Sequence, residues 1–129
     1  YFLSTYSARK LGMETTGNAG GSHNLILQSG QKSLDELIRG IKRGLLVTEL
    51  LGHGVNYVTG DYSRGAAGFW VEKGHIVHPV DGLTIAGHLP AMYQAIEAVG
   101  ADVDKRSHIA MGSLLVGRMM VAGEAGAAA

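Results

Sequence analysis

The stretch Gly52 to Gly87 reads GHGVNYVTGDYSRGAAGFWVEKGHIVHPVDGLTIAG. Its centre decides the fold. Ala66 to Glu72 is apolar and aromatic, Lys73-Gly74 can make a two-residue turn, and His75-Ile76-Val77-His78 can return. That order predicts a β-hairpin. Pro79 is expected to end the return strand. Val55 to Thr59 reads as a short strand before a turn at Gly60-Asp61, and Gly82 to Gly87 as a short apolar segment. The stretch also holds the only Trp, two of the five Tyr and three of the six His, so it is the first place to look for a functional surface.

Upstream, Ser33-Leu34-Asp35-Glu36 is a capping box. Leu34, Leu37, Ile38 and Ile41 follow at the spacing of one buried helical stripe. Arg39, Lys42 and Arg43 fit the last turn, where cations complement the helix dipole, and Gly44 suits the stop. The spacing therefore predicts a helix over about 33–43. Leu45 to Leu51 and His23 to Gln28 read as strands. Residues 1–6 favour a strand, Ser7 to Leu11 a helical turn ending at Gly12, and 16–22 a loop. Downstream, Pro90 and the apolar line Leu89, Met92, Ile96 and Val99 predict a second helix over about 89–99. His108 to Met111 and Leu114 to Ala122 read as strands.

Many short strands with two helices and no regular βαβ alternation predict an α+β, mainly β domain. Its sheet should be mixed and largely antiparallel. The 129 residues suit one domain, expected over 1–122, with 123–129 a frayed small-residue tail.

Composition excludes several chemistries. No Cys is present, so disulfides and thiolate zinc sites are ruled out within the chain. The formal net charge is zero and no basic stripe is visible, which argues against direct nucleic-acid binding. No apolar run is long enough to span a bilayer, so no membrane role is expected.

The six His are His23, His53, His75, His78, His88 and His108, and none forms the one-turn helical pair of a zinc site. Neither Ser22 nor Ser63 sits in a nucleophile elbow. No phosphate loop occurs, and Gly52-x-Gly54 meets Tyr57 where a dinucleotide motif needs Gly. Asp35/Glu36 are explained by the helix start and Asp102/Asp104 by a solvated loop. Arg64 stands out. It follows Asp61 and precedes Gly65-Ala66-Ala67-Gly68, where small residues let another backbone approach. A groove for an extended peptide needs that combination; close internal packing with an Asp61–Arg64 ion pair is the competing explanation.

Tyr6-Ser7-Ala8-Arg9-Lys10-Leu11-Gly12, Thr16-Gly17-Asn18-Ala19-Gly20-Gly21 and above all residues 56–72 (NYVTGDYSRGAAGFWVE) resemble the C-terminal domain of the PmbA (TldE) members of the TldD/PmbA family, once described as modulators of DNA gyrase. Residues 81–87, Val99-Gly100 and Gly112-Ser113 fit as well. The resemblance covers nearly the whole chain except the tail. It implies a cytoplasmic bacterial protein several times longer, represented here without its N-terminal part, as the start at Tyr1 also suggests. It further implies a pairing with a TldD-type subunit, the two acting as a zinc metalloprotease on unfolded peptides in peptide maturation and degradation.

In that family the TldD-type subunit carries the metal on a helical H-E-x-x-x-H motif and a Cys. This chain has neither. Near Ala110-Met111-Gly112, where the Cys would stand, it has Met111, and a thioether is a poor zinc ligand. The departure marks a metal-free subunit, with zinc on the partner and with no catalytic, cofactor or metal residue carried over. Asn56, Asp61, Ser63 and Arg64 are the candidates for facing a peptide groove or the partner. The alternatives are a binding module that modulates DNA gyrase or another nucleic-acid enzyme, and a homo-oligomer formed through exposed strand edges.

Overall fold

A computed structural model describes residues 2–123. Most of the expected frayed tail, residues 124–129, lies outside the described residues. The elements in chain order are α1 (Thr5–Leu11), β1 (Leu25–Ile26), α2 (Leu34–Arg39), β2 (Arg43–Leu51), β3 (Asp61–Glu72), β4 (His75–His88), α3 (Leu89–Gln94), β5 (Ile96–Val99), β6 (Ile109–Ala110), β7 (Leu114–Val116) and β8 (Met120–Ala122). The main sheet runs β2-β3-β4-β8 and is antiparallel throughout. Two small sheets join β1 to β6 in parallel and β5 to β7 antiparallel. This is the α+β, mainly β, largely antiparallel architecture that the strand pattern predicts.

The hairpin at its centre forms as expected and is longer. Lys73 and Gly74 both take positive φ, +49° and +79°, as a two-residue hairpin turn requires. The turn docks on the end of α2: Lys73 N–H donates to Lys42 O and Gly74 N–H to Ile41 O, each at 2.8 Å. Strand β3 begins at Asp61, not Ala66. Pro79 does not end the return strand. It pairs with Phe69 in a part of β4 that, among the described residues, has no neighbour on its other side, since β8 pairs with Thr84, Ile85 and Ala86. A strand with an open edge tolerates proline. Register shifts on either side, between the Trp70 and Val71 pairings and between Ala66 and Gly68, let β4 carry extra residues past an unbroken β3.

Both expected helices are shorter. The capping box is present: Glu36 N–H donates to Ser33 Oγ at 3.3 Å, and Ser33 N–H donates to Glu36 Oε2 at 2.8 Å. The helix then stops at Gly40, not near Arg43. Glycine is a poor helix interior residue, and from Arg43 the chain gains a ladder with β3. Lys42 and Arg43 are therefore not a helix end. Arg43 pairs with Glu72, and its guanidinium lies 5.3 Å from the Trp70 ring centre. The helix expected over 89–99 ends at Gln94. Ile96 to Val99 instead form β5, whose β-branched residues pair with β7.

Three smaller readings also change. Ser4 caps a helix that starts at Thr5, so the described residues of the expected strand over 1–6 do not form one. Val55 to Thr59 is a turn with a single bridge from Val55 to Tyr62. Only Leu25–Ile26 of 23–28 is strand.

The buried apolar set is small: Leu3, Ala8, Leu37, Ile38, Ala66, Val71 and Ile85. Leu37 and Ile38 come from the predicted helical stripe. The chain exposes 9806 Å². A compact monomer of this mass would expose about 6,500 Å². Leu50, Leu51, Ile76, Val77 and Met120 are among the large apolar residues left in the open.

Candidate functional site

The residues singled out in the sequence lie on the connection between β2 and β3 and on the first turn of the β3 ladder. Asn56 organises the connection. Its side-chain oxygen accepts from Val58 N–H at 2.9 Å and Thr59 N–H at 3.1 Å, while its own N–H donates to Asp61 O at 2.8 Å. This is how Asn commonly holds a turn. Asp61 accepts the Thr59 hydroxyl at 2.6 Å. The turn pushes Tyr57 and Val58 outward, 88% and 95% exposed.

Ser63 is exposed, and its backbone N–H donates to Gly54 O at 2.7 Å. Gly54 is required here by proximity: a Cβ at that position would sit 1.4 Å from Ser63 O. Asn56 and Asp61 are thus brought together through the turn. Arg64 is not brought to them. Residues three apart on a strand point to opposite faces, and among the described residues the only ion pair within 4.0 Å joins Arg106 to Asp104. The Asp61–Arg64 pair does not form. Arg64 instead lines a pocket of about 160 Å³ with Gly52, His53, Val55 and Tyr57.

Two features escaped the sequence reading. One is an open cleft of about 880 Å³ between α2, the start of β2 and β7, with Leu37, Leu46, Trp70, Leu115 and Val121 in its walls. No local pattern marks it, because its walls come from segments far apart in the chain. The other is Asp102. Its carboxylate accepts the Ser113 hydroxyl at 2.6 Å and the Ser113 N–H at 3.2 Å. The Ser113 hydroxyl is the main reason its pKa lies below the usual 3.8. It braces the entry to β7 and is more than a solvated loop residue. Asp104 is held down further, to about 2, by the Arg106 guanidinium.

The histidines do not converge. His88 Nε2 lies 2.9 Å from Thr59 O, and His78 Nδ1 lies 3.0 Å from Pro79 O. Among the described residues no three His, Cys, Asp or Glu side chains gather where a metal ion could be held. The side chains present among the described residues do not by themselves make a zinc site. Among the described residues no helix is long and apolar enough to cross a membrane.

Residues 1–123 match the family described as the PmbA/TldA metallopeptidase C-terminal domain. The chain belongs to that family. The PmbA/TldA domain is 50% identical to the metalloprotease PmbA of Escherichia coli O157:H7, over 96% of this chain and 28% of that protein. Two proteins of Haemophilus influenzae separate the branches. The metalloprotease PmbA homolog is 49% identical over 95% of this chain and 28% of its own length. The metalloprotease TldD homolog is 29% identical over 77% of this chain and 23% of its own. Among solved structures, a candidate modulator of DNA gyrase from Bacteroides thetaiotaomicron superimposes with a TM-score of 0.86. It is 36% identical, over 95% of this chain and 28% of that one. The PmbA/TldA domain thus spans about a quarter of the length of these relatives, 23% to 28%.

Proposed function

We propose that this domain is the metal-free, PmbA-type C-terminal part of a two-subunit TldD/TldE-type protease in the bacterial cytoplasm. It contacts the TldD-type subunit and holds unfolded peptide for that subunit to cut. The zinc belongs to the TldD-type partner. The observation that carries the reading is the identity gap within one organism, 49% to the PmbA homolog against 29% to the TldD homolog. The surface excess supports it, since a domain with so few buried residues and so much exposed apolar surface suits contacts with other polypeptide. On this chain the work is positioning. The turn around Asn56, the Ser63–Gly54 backbone contact and Arg64 form a face on which an extended chain or the partner can lie.

The test is co-purification of this chain with a TldD-type protein, followed by cleavage of an unfolded peptide with and without a chelator. Cleavage should need the partner and stop with the chelator. Retention of zinc by this chain alone, or cleavage without the partner, overturns the proposal.

A further inference from the structure

Arg64 is unlike every other charge among the described residues. Among the described residues it is the one Asp, Glu, Lys or Arg that is not exposed. Removing a cation from water is costly unless an anion or several acceptors replace the lost hydration. Arg64 has little of either. Its Nη2 reaches Leu50 O at 3.4 Å, the long limit of a hydrogen bond. Its Nε is closed off from solvent with no acceptor. Among the described residues no carboxylate lies within 4.0 Å of the guanidinium. The strand placement that separates it from Asp61 also leaves it without a counter-ion among the described residues.

The pocket in front of it tells what the missing partner looks like. It is bounded by Gly52, His53, Val55, Tyr57 and Arg64 and holds about 160 Å³. That is room for a small anionic group and the carbon that bears it, not for a nucleotide. One guanidinium supplies a planar fork, which matches the two oxygens of a carboxylate. No second Lys or Arg lines the pocket, so a dianionic phosphate would remain undercompensated. Val55 and Tyr57 add an apolar wall of the kind that covers the stem of an amino-acid residue. Gly54 lets that wall close against β3, because any side chain there would strike Ser63 O.

We infer that the Arg64 pocket is a recognition site for a polypeptide carboxylate, either the α-carboxylate at a peptide's C-terminus or an Asp or Glu side chain. The inference rests on the groove-or-interface reading of this face. It adds the chemical group that the face selects.

The test uses this chain and NMR of the arginine Nε–H signals. The probes are the peptide acetyl-Ala-Ala-Ala-Ala-Phe with a free C-terminus, its C-terminal amide, and acetyl-Ala-Ala-Glu-Ala-Ala amide. A saturable shift of the Arg64 signal with a carboxylate peptide, and none with the amide lacking one, supports the site. Which carboxylate peptide acts identifies the source. Arg64→Lys keeps the charge and loses the fork, and should weaken binding by about tenfold or more. Equal shifts from all three probes, or from none, overturn the site whatever the variant does. Co-purification with a TldD-type protein is read separately, so either idea can fall while the other stands.

Discussion

Asp102 receives both the hydroxyl and the N–H of Ser113, eleven residues along the chain, at 2.6 and 3.2 Å. Gly100 N–H donates to Ser113 O at 2.7 Å, so the end of β5 and the start of β7 are tied by one residue and its carboxylate clamp. Asp102→Ala should lower stability by about 1 kcal/mol, the scale of a solvent-accessible hydrogen bond. The sign with pH follows from the lowered pKa. The unfolded group titrates near 3.8 and the folded one below it, so the contribution is complete above that value and is lost as pH falls through the folded pKa. Urea midpoints for the two proteins should differ at pH 7 and converge below pH 3.8. A constant gap across that range would show that the carboxylate charge is not what matters.

Ser33→Ala should cost about 1 kcal/mol, since it removes the acceptor for Glu36 N–H at the start of α2. Helix α2 has only six residues and holds Leu37 and Ile38 in the core, so the loss should appear as a shift of the whole unfolding curve. Ser33→Asp restores an acceptor next to the helix start and should recover most of the loss. An unchanged urea midpoint for the alanine variant would mean that α2 is held by packing alone.

This helix also shows where the sequence was legible. Its beginning is written in four adjacent residues, Ser33 to Glu36, and forms as read. Its end is not, because the stop at Gly40 depends on Arg43 to Leu51 finding their partners in β3, from Leu51 with Gly65 to Arg43 with Glu72. The same contest shortens the helix expected over 89–99, where Ile96 and Val99 satisfy a helical stripe and a strand equally well. Partners in Leu114 to Val116 decide between them. Within the candidate site, the sequence pattern places the turn at Gly60-Asp61 but puts Asn56 in a strand over Val55 to Thr59, although the turn contacts of Asn56 are local. The burial of Arg64 and the clamp on Asp102 depend on distant backbone, which no local pattern reports.

Asn56→Ala should loosen the β2–β3 connection without unfolding the domain. The side chain accepts two N–H groups from a turn whose tip, Val58, is 95% exposed. Few apolar contacts are lost, so the global cost should be about 1 kcal/mol or less. Local opening should be easier. Amide exchange at Val58 and Thr59 should accelerate about tenfold, while exchange in Trp70 and Val71 follows global stability. Asn56→Asp keeps an acceptor and should behave like the original. Unchanged exchange at the two turn amides in the alanine variant would remove Asn56 as the organiser of this face.

Gly74→Ala should destabilise the β3–β4 hairpin. Two effects coincide there. The residue sits at φ +79°, which disfavours a side chain by about 1 kcal/mol or more. A Cβ would also fall 2.7 Å from Arg39 O and 3.0 Å from Arg39 Cα, so the hairpin would have to lift off α2. That movement stretches the bonds from Lys73 and Gly74 to Lys42 and Ile41. Gly12→Ala separates the two effects, because Gly12 has φ +64° with nothing within 4 Å of the added carbon. Unfolding followed by Trp70 fluorescence should show a loss of about 1 kcal/mol for Gly12→Ala, and at least twice that for Gly74→Ala. Equal losses would mean that the hairpin turn does not press on α2, and that conformational strain alone sets the requirement for glycine at both positions.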